Sequence, residues 1–404
     1  MLGAIIGDIV GSSHEFNSIK TTNFNLFDDE SIYTDDSVMT MAVAEWLLDD
    51  VKHTHKVLEE KMLKYGSLNP DAGYGEMFFE WLFFPERIFK SGKRAPYNSF
   101  GNGSAMRVSS VGWLFDTLEE TEKVAEISAS ITHNHPEGIK GAQATAAAIF
   151  LARNGKSKQE IKGYISAKYG YDLDRTCDQI RPSYDFDVTC QGSLPEAIIA
   201  FLESTDYEST IRLAVSLGGD SDTQACIAGG IAEAFYKDIP AEIVSRAIRL
   251  VPSYFIATLK RFYDAVNYHP KYIDMEQKEK QMERCTPDFI RSLEPNEIFV
   301  FGSNLAGAHG GGAARIAMDK FGAVWGQGVG LQGQSYAIPT MQGGVETIKP
   351  YVDEFIEFVK NHPEYKFLVT RIGCGIAGFT DEEIAPLFKE AQSLENVWLP
   401  RSFR

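Results

Sequence analysis

The sequence predicts a multidomain protein with an all-α domain over residues 1–268, a linker over 269–293 and a small three-layer α/β/α domain over 294–404. In the first two thirds of the chain, apolar and small residues recur at helical spacing and strand-like runs are scarce. A polar, charged stretch follows at 272–284, between Pro270 and Pro287, and predicts an exposed linker helix. From Glu297 onward, short apolar runs alternate with helical patterns, which is typical of an α/β domain.

The helical character of the N-terminal region rests on a few segments. Residues 1–8 are apolar up to Asp8 and predict a buried helix or strand. Residues 37–50 show apolar side chains at helical spacing, and residues 142–152 and 224–236 are rich in alanine and glycine. Small residues allow helices to approach closely, so we expect a helical bundle with functional loops at one end.

The C-terminal pattern is an alternation of strands and helices. The predicted strands are 298–301, 336–339, 366–371 and 397–399, and the predicted helices are 313–321, 345–359 and 381–391. Such an alternation predicts a sheet covered by helices on both faces.

Composition and charge narrow the class of protein. The chain of 404 residues has 56 acidic and 39 basic residues, for a net charge of −17. This balance argues against general binding to a nucleic-acid backbone, which requires a basic face. No apolar run approaches the roughly 20 residues that span a bilayer, and five scattered cysteines favour reduced thiols and a cytoplasmic location.

Two acidic clusters are the sharpest local signal, and each precedes an apolar helix. They are Thr34-Asp35-Asp36-Ser37 and Gly218-Gly219-Asp220-Ser221-Asp222-Thr223. Helix capping would explain either cluster alone, because Asp, Ser and Thr are preferred caps. Four aspartates over two helix starts exceed what capping needs, and carboxylates brought together repel unless a cation lies between them. Oxygen ligands favour Mg²⁺ or Mn²⁺, so we expect two such ions with a bridging water.

Three further segments indicate a substrate site. Glu15 follows the glycine-containing segment 7–11. The glycine-rich segment 99–107 offers backbone N–H groups to a diphosphate, although a plain turn remains the alternative. His133 and His135 lack the spacing of a zinc protease helix, which leaves a capping turn or a substrate contact by one histidine.

Five ordered segments carry a resemblance to a known family. They are GAIIGDIVGSSHE, YTDDSVMTMAVAEWL, SFGNGSAMRVSSVGWL, THNHPEGIKGAQATA and SLGGDSDTQACIAGGIA. Together they resemble the ADP-ribosylglycohydrolase family, which includes dinitrogenase reductase-activating glycohydrolase and the ADP-ribosylhydrolases, over residues 1–265. The family is all-helical and has a two-metal centre, usually magnesium or manganese.

The resemblance implies roles for individual residues. The implied metal ligands are Thr34, Asp35, Asp36, Asp220, Asp222 and Thr223. Glu15 matches an acid near the scissile ribose, which in the family can gate the site or contact the metal. With Asp35 and Asp36 it forms the implied catalytic set. Residues implied to hold the diphosphate and ribose are Ser99, Phe100, Gly101, Asn102 and His133. The family usually has threonine where this chain has Ser37 and Ser221; the carboxylates remain, so we expect metal binding to persist.

The C-terminal region carries a looser resemblance to macrodomains, the α/β/α modules that bind ADP-ribose. It rests on IFVFGSNLAGAHGGGAARIA, SYAIPT and FLVTRIGCGIAGFTDEEI, and the implied ligand contacts are Asn304, Gly310, Gly311, Gly312, Gly373 and Gly375. An α/β domain with tight turns and no ligand is the alternative. Macrodomains that cleave ADP-ribose from glutamate have an aspartate after the second glycine turn, where this chain has Ala377. Other macrodomains work without that aspartate, but we expect this domain to bind rather than cleave.

The sequence as a whole predicts an enzyme that releases ADP-ribose from a modified target in its N-terminal domain. Two alternatives remain at this point. One is an ADP-ribose sensor in which both domains bind and neither cleaves, and the other is a hydrolase of a different N- or O-glycoside.

Overall fold

The computed structural model describes residues 1–270, 284–287, 290 and 292–404. The chain divides into two compact units, Met1–Met275 and Glu276–Arg404, which we call the N-terminal and C-terminal units. Apart from Arg284, the helix predicted over 272–284 lies outside the described residues. The domain boundaries at 268 and 294 therefore stay predictions.

The N-terminal unit is built from helices. They are α1 (Leu2–Ser12), α2 (Asp35–Asp49), α3 (His55–Leu68), α4 (Glu76–Phe83), α5 (Pro85–Ile88), α6 (Gly103–Met106), α7 (Ser109–Leu114), α8 (Leu118–Ser130), α9 (Pro136–Arg153), α10 (Lys158–Tyr169), α11 (Cys177–Ile180), α12 (Cys190–Glu203), α13 (Tyr207–Ser216), α14 (Ser221–Tyr236), α15 (Ala241–Ile248) and α16 (Ser253–Ala265). The N-terminal segment, which the sequence left open between helix and strand, is thus a helix, and residues 2–11 of it are buried.

Helices α1 and α14 lie against each other at the centre of this unit. Three glycines of α1, spaced four residues apart, face α14. A β-carbon on Gly7 would lie 2.0 Å from the carbonyl oxygen of Ala225, and one on Gly11 would lie 2.4 Å from Cα of Asp222. This close approach brings the start of α14 beside the end of α1, where the acidic residues are.

The C-terminal unit contains a five-stranded mixed sheet. Its strands are β1 (Glu297–Ser303), β2 (Gly330–Gln332), β3 (Ser335–Pro339), β4 (Lys366–Val369) and β5 (Val397–Trp398), in the order β2-β3-β1-β4-β5. Only the β2–β3 pair is antiparallel. The helices are α17 (Gly312–Lys320), α18 (Val345–Asn361) and α19 (Asp381–Ile384), with 3₁₀ turns at Ala385–Phe388, Ala391–Ser393 and Arg401–Phe403.

The sheet has a hydrophobic core on each face. Ile298 and Val300 point into a core that includes α18, whereas Phe299 and Phe301 point into one that includes α17. Because successive strand residues face opposite sides, this alternation shows that β1 is covered on both faces. The arrangement is the small α/β layering that the strand and helix pattern predicts.

Two elements of this unit differ from the prediction. The edge strand β2 is only three residues long and was not predicted, because Gly330-Leu331-Gln332 offers too little apolar alternation. The helix predicted over 381–391 ends at Ile384 and continues as a 3₁₀ turn. Pro386 explains the break, because it has no N–H group to donate to the preceding helical turn.

Two general features complete the description. None of the five cysteines, all of which lie in described segments, forms a disulfide. Within the described part of the chain, no helix is both long enough and apolar enough to cross a membrane.

Candidate active site

A cavity of about 550 Å³ in the N-terminal unit collects most of the residues singled out from the sequence. The predicted residues that line it are Glu15, Asp35, Asp36, Ser99, Phe100, Gly101, Asn102, His133, Asp220, Asp222 and Thr223. Thr34 does not line the cavity but is buried at the start of α2. Residues separated by up to about two hundred positions therefore meet at one place.

The first acidic cluster begins α2, and its hydroxyl residue is the cap. The side chain of Thr34 accepts a hydrogen bond from the amide of Asp36. The carboxylates of Asp35 and Asp36 are therefore not needed for capping at this helix start. The Oδ1 atom of Asp36 is buried and has no hydrogen-bond partner among the described residues.

Behind this cluster lies Asp8, a residue the sequence analysis did not assign to the site. Its carboxylate accepts hydrogen bonds from the amide of Thr34 at 3.0 Å, the hydroxyl of Thr34 at 2.7 Å and the amide of Ser37 at 3.0 Å. The hydroxyl of Ser37 also donates to it, so serine supplies the same kind of contact as a threonine hydroxyl would. Asp8 thus fixes the start of α2. The signal for it was a single acid within an otherwise apolar segment.

The second acidic cluster begins α14 and faces the first. Asp220 occupies the cap position but makes no side-chain capping bond. Instead, its carboxylate accepts a hydrogen bond of 2.6 Å from the side-chain amide of Asn102. The hydroxyl of Thr223 lies 3.1 Å from Oδ2 of Asp36, and the hydroxyl of Thr34 lies 3.3 Å from Oδ2 of Asp222. The two clusters are therefore connected directly. At the other departure from the family pattern, the hydroxyl of Ser221 donates to the carbonyl of Gly11 at 3.0 Å.

Burial and mutual repulsion raise the pKa values of these carboxyl groups. Burial, and then the charge of Asp222, raise the pKa of Asp8 to about 7. The same causes raise the pKa of Glu15 to about 8. Burial also raises the pKa values of Asp35, Asp36, Asp220 and Asp222. Negative charge at this site is costly without a compensating cation.

The residues present fit a divalent cation. One carboxylate oxygen from each of Glu15, Asp220 and Asp222 lies within 4.8 Å of the others. The buried Oδ1 of Asp36 adds a further oxygen for a cation, because it has no hydrogen-bond partner in the described structure. An all-oxygen donor set of this kind suits Mg²⁺ or Mn²⁺ better than zinc or copper.

The glycine-rich segment also lines the cavity. The amide of Asn102 donates to the carbonyl of Val188 at 2.8 Å, and the amide of Cys190 donates to the carbonyl of Phe100 at 2.9 Å. These bonds form an antiparallel bridge between Gly101 and Thr189. Val188 and Thr189 line the cavity, and neither was predicted, because nothing in their local sequence marks them as site residues.

The two histidines of the segment 132–137 have different roles. The side chain of His135 accepts a hydrogen bond of 3.1 Å from the amide of Glu137 and caps α9. His133 is buried and lines the cavity. The capping turn expected for this segment is thus confirmed at His135, whereas a substrate contact by His133 stays a prediction.

A second, smaller cavity of about 240 Å³ lies in the C-terminal unit, at the ends of β1, β3 and β4. Of the predicted residues, Asn304, Gly311, Gly312, Gly373 and Gly375 line it, together with Ala377. Gly310 does not; it lies exposed in the preceding loop. The side chain of Asn304 is bonded to its own loop, donating to the carbonyl of Ala308 at 2.9 Å. Among the described residues that line this cavity, none is an aspartate or glutamate.

Comparisons with known proteins agree with the helical N-terminal unit. The profile of the ADP-ribosylglycohydrolase family matches residues 1–266. The chain is 28% identical to ADP-ribosylhydrolase ARH3 of Homo sapiens over 309 aligned residues, covering 58% of this chain and 84% of that protein. It is 27% identical to ADP-ribosylarginine hydrolase Tri1 of Pseudomonas putida over 280 residues, covering 61% of this chain and 72% of that protein.

A solved structure shares the fold. It is described as an ADP-ribosylglycohydrolase-related protein complex and superposes with a TM-score of 0.52 at 21% identity, covering 66% of this chain and 97% of its own. The family match extends over about two thirds of the chain and includes both acidic clusters and the glycine-rich loop. The chain therefore belongs to the ADP-ribosylglycohydrolase family of glycosidic-bond hydrolases.

Proposed function

We propose that the N-terminal cavity hydrolyses an ADP-ribosyl linkage and releases ADP-ribose from a modified target. The single observation that carries this proposal is the convergence of both acidic clusters and the glycine-rich loop on one cavity. A glycine-rich loop can present backbone N–H groups to a diphosphate, whereas hydrolysis of a glycosidic bond needs an oriented water. The similarity to ADP-ribosylhydrolases of other organisms supports the same substrate class.

We further propose that the site works with two Mg²⁺ or Mn²⁺ ions. Six residues would hold them: Thr34, Asp35, Asp36, Asp220, Asp222 and Thr223. Bound ions of this kind supply Lewis-acid stabilisation and lower the pKa of water. The buried carboxylates whose pKa values are raised in the metal-free protein support the presence of positive charge here.

The protein's own groups would position the reactants. Glu15, close to Asp220 and Asp222, would orient the attacking water and accept its proton, because it lines the cavity beside the acids. The loop residues Ser99 to Asn102, which line the same cavity, would hold the diphosphate and ribose. Asn102 would also keep Asp220 in place through its hydrogen bond. Attack at the anomeric carbon would then release the target side chain or nucleotide end.

For the C-terminal unit, we propose a macrodomain-like module that binds ADP-ribose without cleaving it. The glycines at the starts of two turns support an anion site, and Gly312 has a positive φ of 56° that favours glycine. The cavity is smaller than the N-terminal one, so a bound ADP-ribose would extend beyond its rim. The methyl group of Ala377 can neither act as a base nor be attacked.

The test is release of free ADP-ribose by the full-length protein from a panel of defined linkages. The panel should include arginine, serine, acidic side-chain, nucleobase and small-metabolite conjugates. We expect at least one to be cleaved, turnover to stop in excess chelator, and Mg²⁺ or Mn²⁺ to restore it. Full activity in chelator would contradict the metal centre, and binding without release from any conjugate would favour an ADP-ribose sensor.

A further inference from the structure

A buried chain of side chains leads from Arg107, the last residue of the glycine-rich segment, through Thr132 to His133, and both Arg107 and His133 line the cavity. The Nη2 atom of Arg107 donates to the hydroxyl of Thr132 at 3.0 Å and to the carbonyl of Ser128 at 2.9 Å. The hydroxyl of Thr132 lies 2.7 Å from Nδ1 of His133. All three side chains are buried, with exposures of 1%, 0% and 4% for Arg107, Thr132 and His133.

Which group is the donor in each of these hydrogen bonds follows from the protons that the groups carry. The guanidinium of Arg107 can only donate, so the oxygen of Thr132 accepts from it. Burial lowers the pKa of Arg107 to about 10, which leaves the group charged at neutral pH. The single proton of the Thr132 hydroxyl is then available for Nδ1 of His133, which must accept it without a proton of its own.

The opposite assignment is unfavourable for two reasons. If Nδ1 carried the proton, the hydroxyl proton of Thr132 would have no acceptor in the described structure, and a buried unsatisfied donor costs about 1–3 kcal/mol. Protonation of both ring nitrogens is opposed by burial and then by the charge of Arg107, which together lower the pKa of His133 well below its usual value. The neutral ring with its proton on Nε2 remains.

The Nε2 atom of His133 lies against the glycine-rich loop. It would be 3.3 Å from a β-carbon on Gly103 and 3.6 Å from one on Gly101, so glycine leaves room for it at both positions. We propose that Arg107 and Thr132 are positioning residues that hold His133 as the neutral Nε2–H form, fixing a donor for an anionic oxygen of the substrate diphosphate. The role of the diphosphate rests on the proposed function, whereas the ring's protonation state does not.

The first arm of the test is nitrogen NMR of the substrate-free, full-length protein labelled with ¹⁵N-histidine. Protonated and unprotonated ring nitrogens have well-separated shifts, and His133→Phe identifies the signals of His133 among the eight histidines. We expect Nε2 to be protonated and Nδ1 unprotonated. Thr132→Val should lose this pattern and show a mixture of the two neutral forms, and Thr132→Ser should restore it.

The second arm is steady-state kinetics on a cleaved conjugate. Thr132→Val should raise KM by roughly tenfold, about the effect of losing one hydrogen bond to a charged group. The change in kcat should be smaller, because the contact is to the diphosphate rather than to the scissile bond, and Thr132→Ser should recover most of the affinity. Thr121→Val is the matched control, since the buried hydroxyl of Thr121 donates to the carbonyl of Thr117, the cap residue of α8, outside this chain of side chains.

The outcomes separate the two proposals. A wild-type ring with its proton on Nδ1, or on both nitrogens, would overturn the inference, as would a Thr132→Val variant with an unchanged ring pattern and KM. Equal KM increases in Thr132→Val and Thr121→Val would also overturn it, because the effect would then be one of packing. Absence of hydrolysis by the wild-type protein would count against the proposed function alone, and the NMR arm would still decide the inference.

Discussion

The two cavities of this protein are alike in their glycine-rich turns and differ in their acidic side chains. Both have glycine-rich turns, but the N-terminal cavity is lined by Glu15, Glu76 and four aspartates, whereas the described lining of the C-terminal cavity contains no acid. Backbone N–H groups can hold an anion without any titratable side chain. Hydrolysis needs in addition a group that positions water, so the difference predicts chemistry in one cavity and binding in the other.

The largest expected effect on activity comes from the aspartates that line the N-terminal cavity. Asp36→Asn and Asp222→Asn should each lower the rate of ADP-ribose release by at least roughly a hundredfold, since replacing groups that only orient metal ligands already costs about 10–100-fold. Circular dichroism should show an intact fold, because asparagine has nearly the same shape. Asp353→Asn, on the exposed face of α18, is the matched control. Near-normal rates in both site variants would mean that the clusters do not act in catalysis.

A smaller loss is expected from Asp8, which supports the site without lining the cavity. Asp8→Asn would replace an acceptor of the Thr34 and Ser37 contacts by an amide that accepts at only one atom. We expect metal affinity, measured by calorimetry with Mn²⁺, to fall by about 10–100-fold. An unchanged affinity would show that the start of α2 is held by packing alone.

Separating the two regions should divide binding from hydrolysis. We expect residues 1–270 to hydrolyse and residues 290–404 to bind ADP-ribose in calorimetry without releasing it from a conjugate. The truncated enzyme should lose apparent affinity for large modified proteins more than maximal rate, because tethering gives effective concentrations of about millimolar. No heat of binding to 290–404 would remove the proposed binding role, and hydrolysis by that piece would mean a second active site.

The smallest expected effect is the pH dependence of stability, and its sign is opposite in the N-terminal and C-terminal units. The raised pKa values of Asp8 (about 7) and Glu15 (about 8) mean that the folded metal-free protein binds more protons than the unfolded chain at mildly acidic pH. The stability they contribute is therefore present at low pH and lost as pH rises toward about 8. In the C-terminal unit, burial raises the pKa of Asp381, but hydrogen bonds, above all the one from Arg371, outweigh burial and lower this pKa overall. The stability that Asp381 contributes is therefore lost as pH falls.

Thermal unfolding at several pH values would check this contrast. The Tm of the metal-free N-terminal piece should fall by a few degrees between about pH 5 and pH 8, and Mg²⁺ or Mn²⁺ should raise it more at the higher pH. The C-terminal piece should show no such fall. A Tm of the metal-free N-terminal piece that rises over this range would contradict the carboxylate origin of the effect.

Local sequence was sufficient for the parts of this protein that depend on neighbouring residues. The helical pattern, the strand and helix alternation after Glu297 and the two aspartate-rich helix starts are all readable from spacing. The family resemblance over 1–265 agrees with the profile match over 1–266. These features can be predicted from the sequence because periodicity and turn chemistry depend on residues that are close together in the chain.

Only the tertiary structure decided which residues meet. Nothing in the local sequence marks Val188 and Thr189, and Asp8 is marked only as a single acid in an apolar segment. Gly310 lies in a glycine-rich stretch but does not line the C-terminal cavity. The buried link from Arg107 to His133 joins residues 26 positions apart. Packing of α1 against α14 through glycine, and of the glycine-rich loop against 188–190, sets these distances. Long-range contacts of this kind depend on how whole elements pack, and no short stretch of sequence determines them.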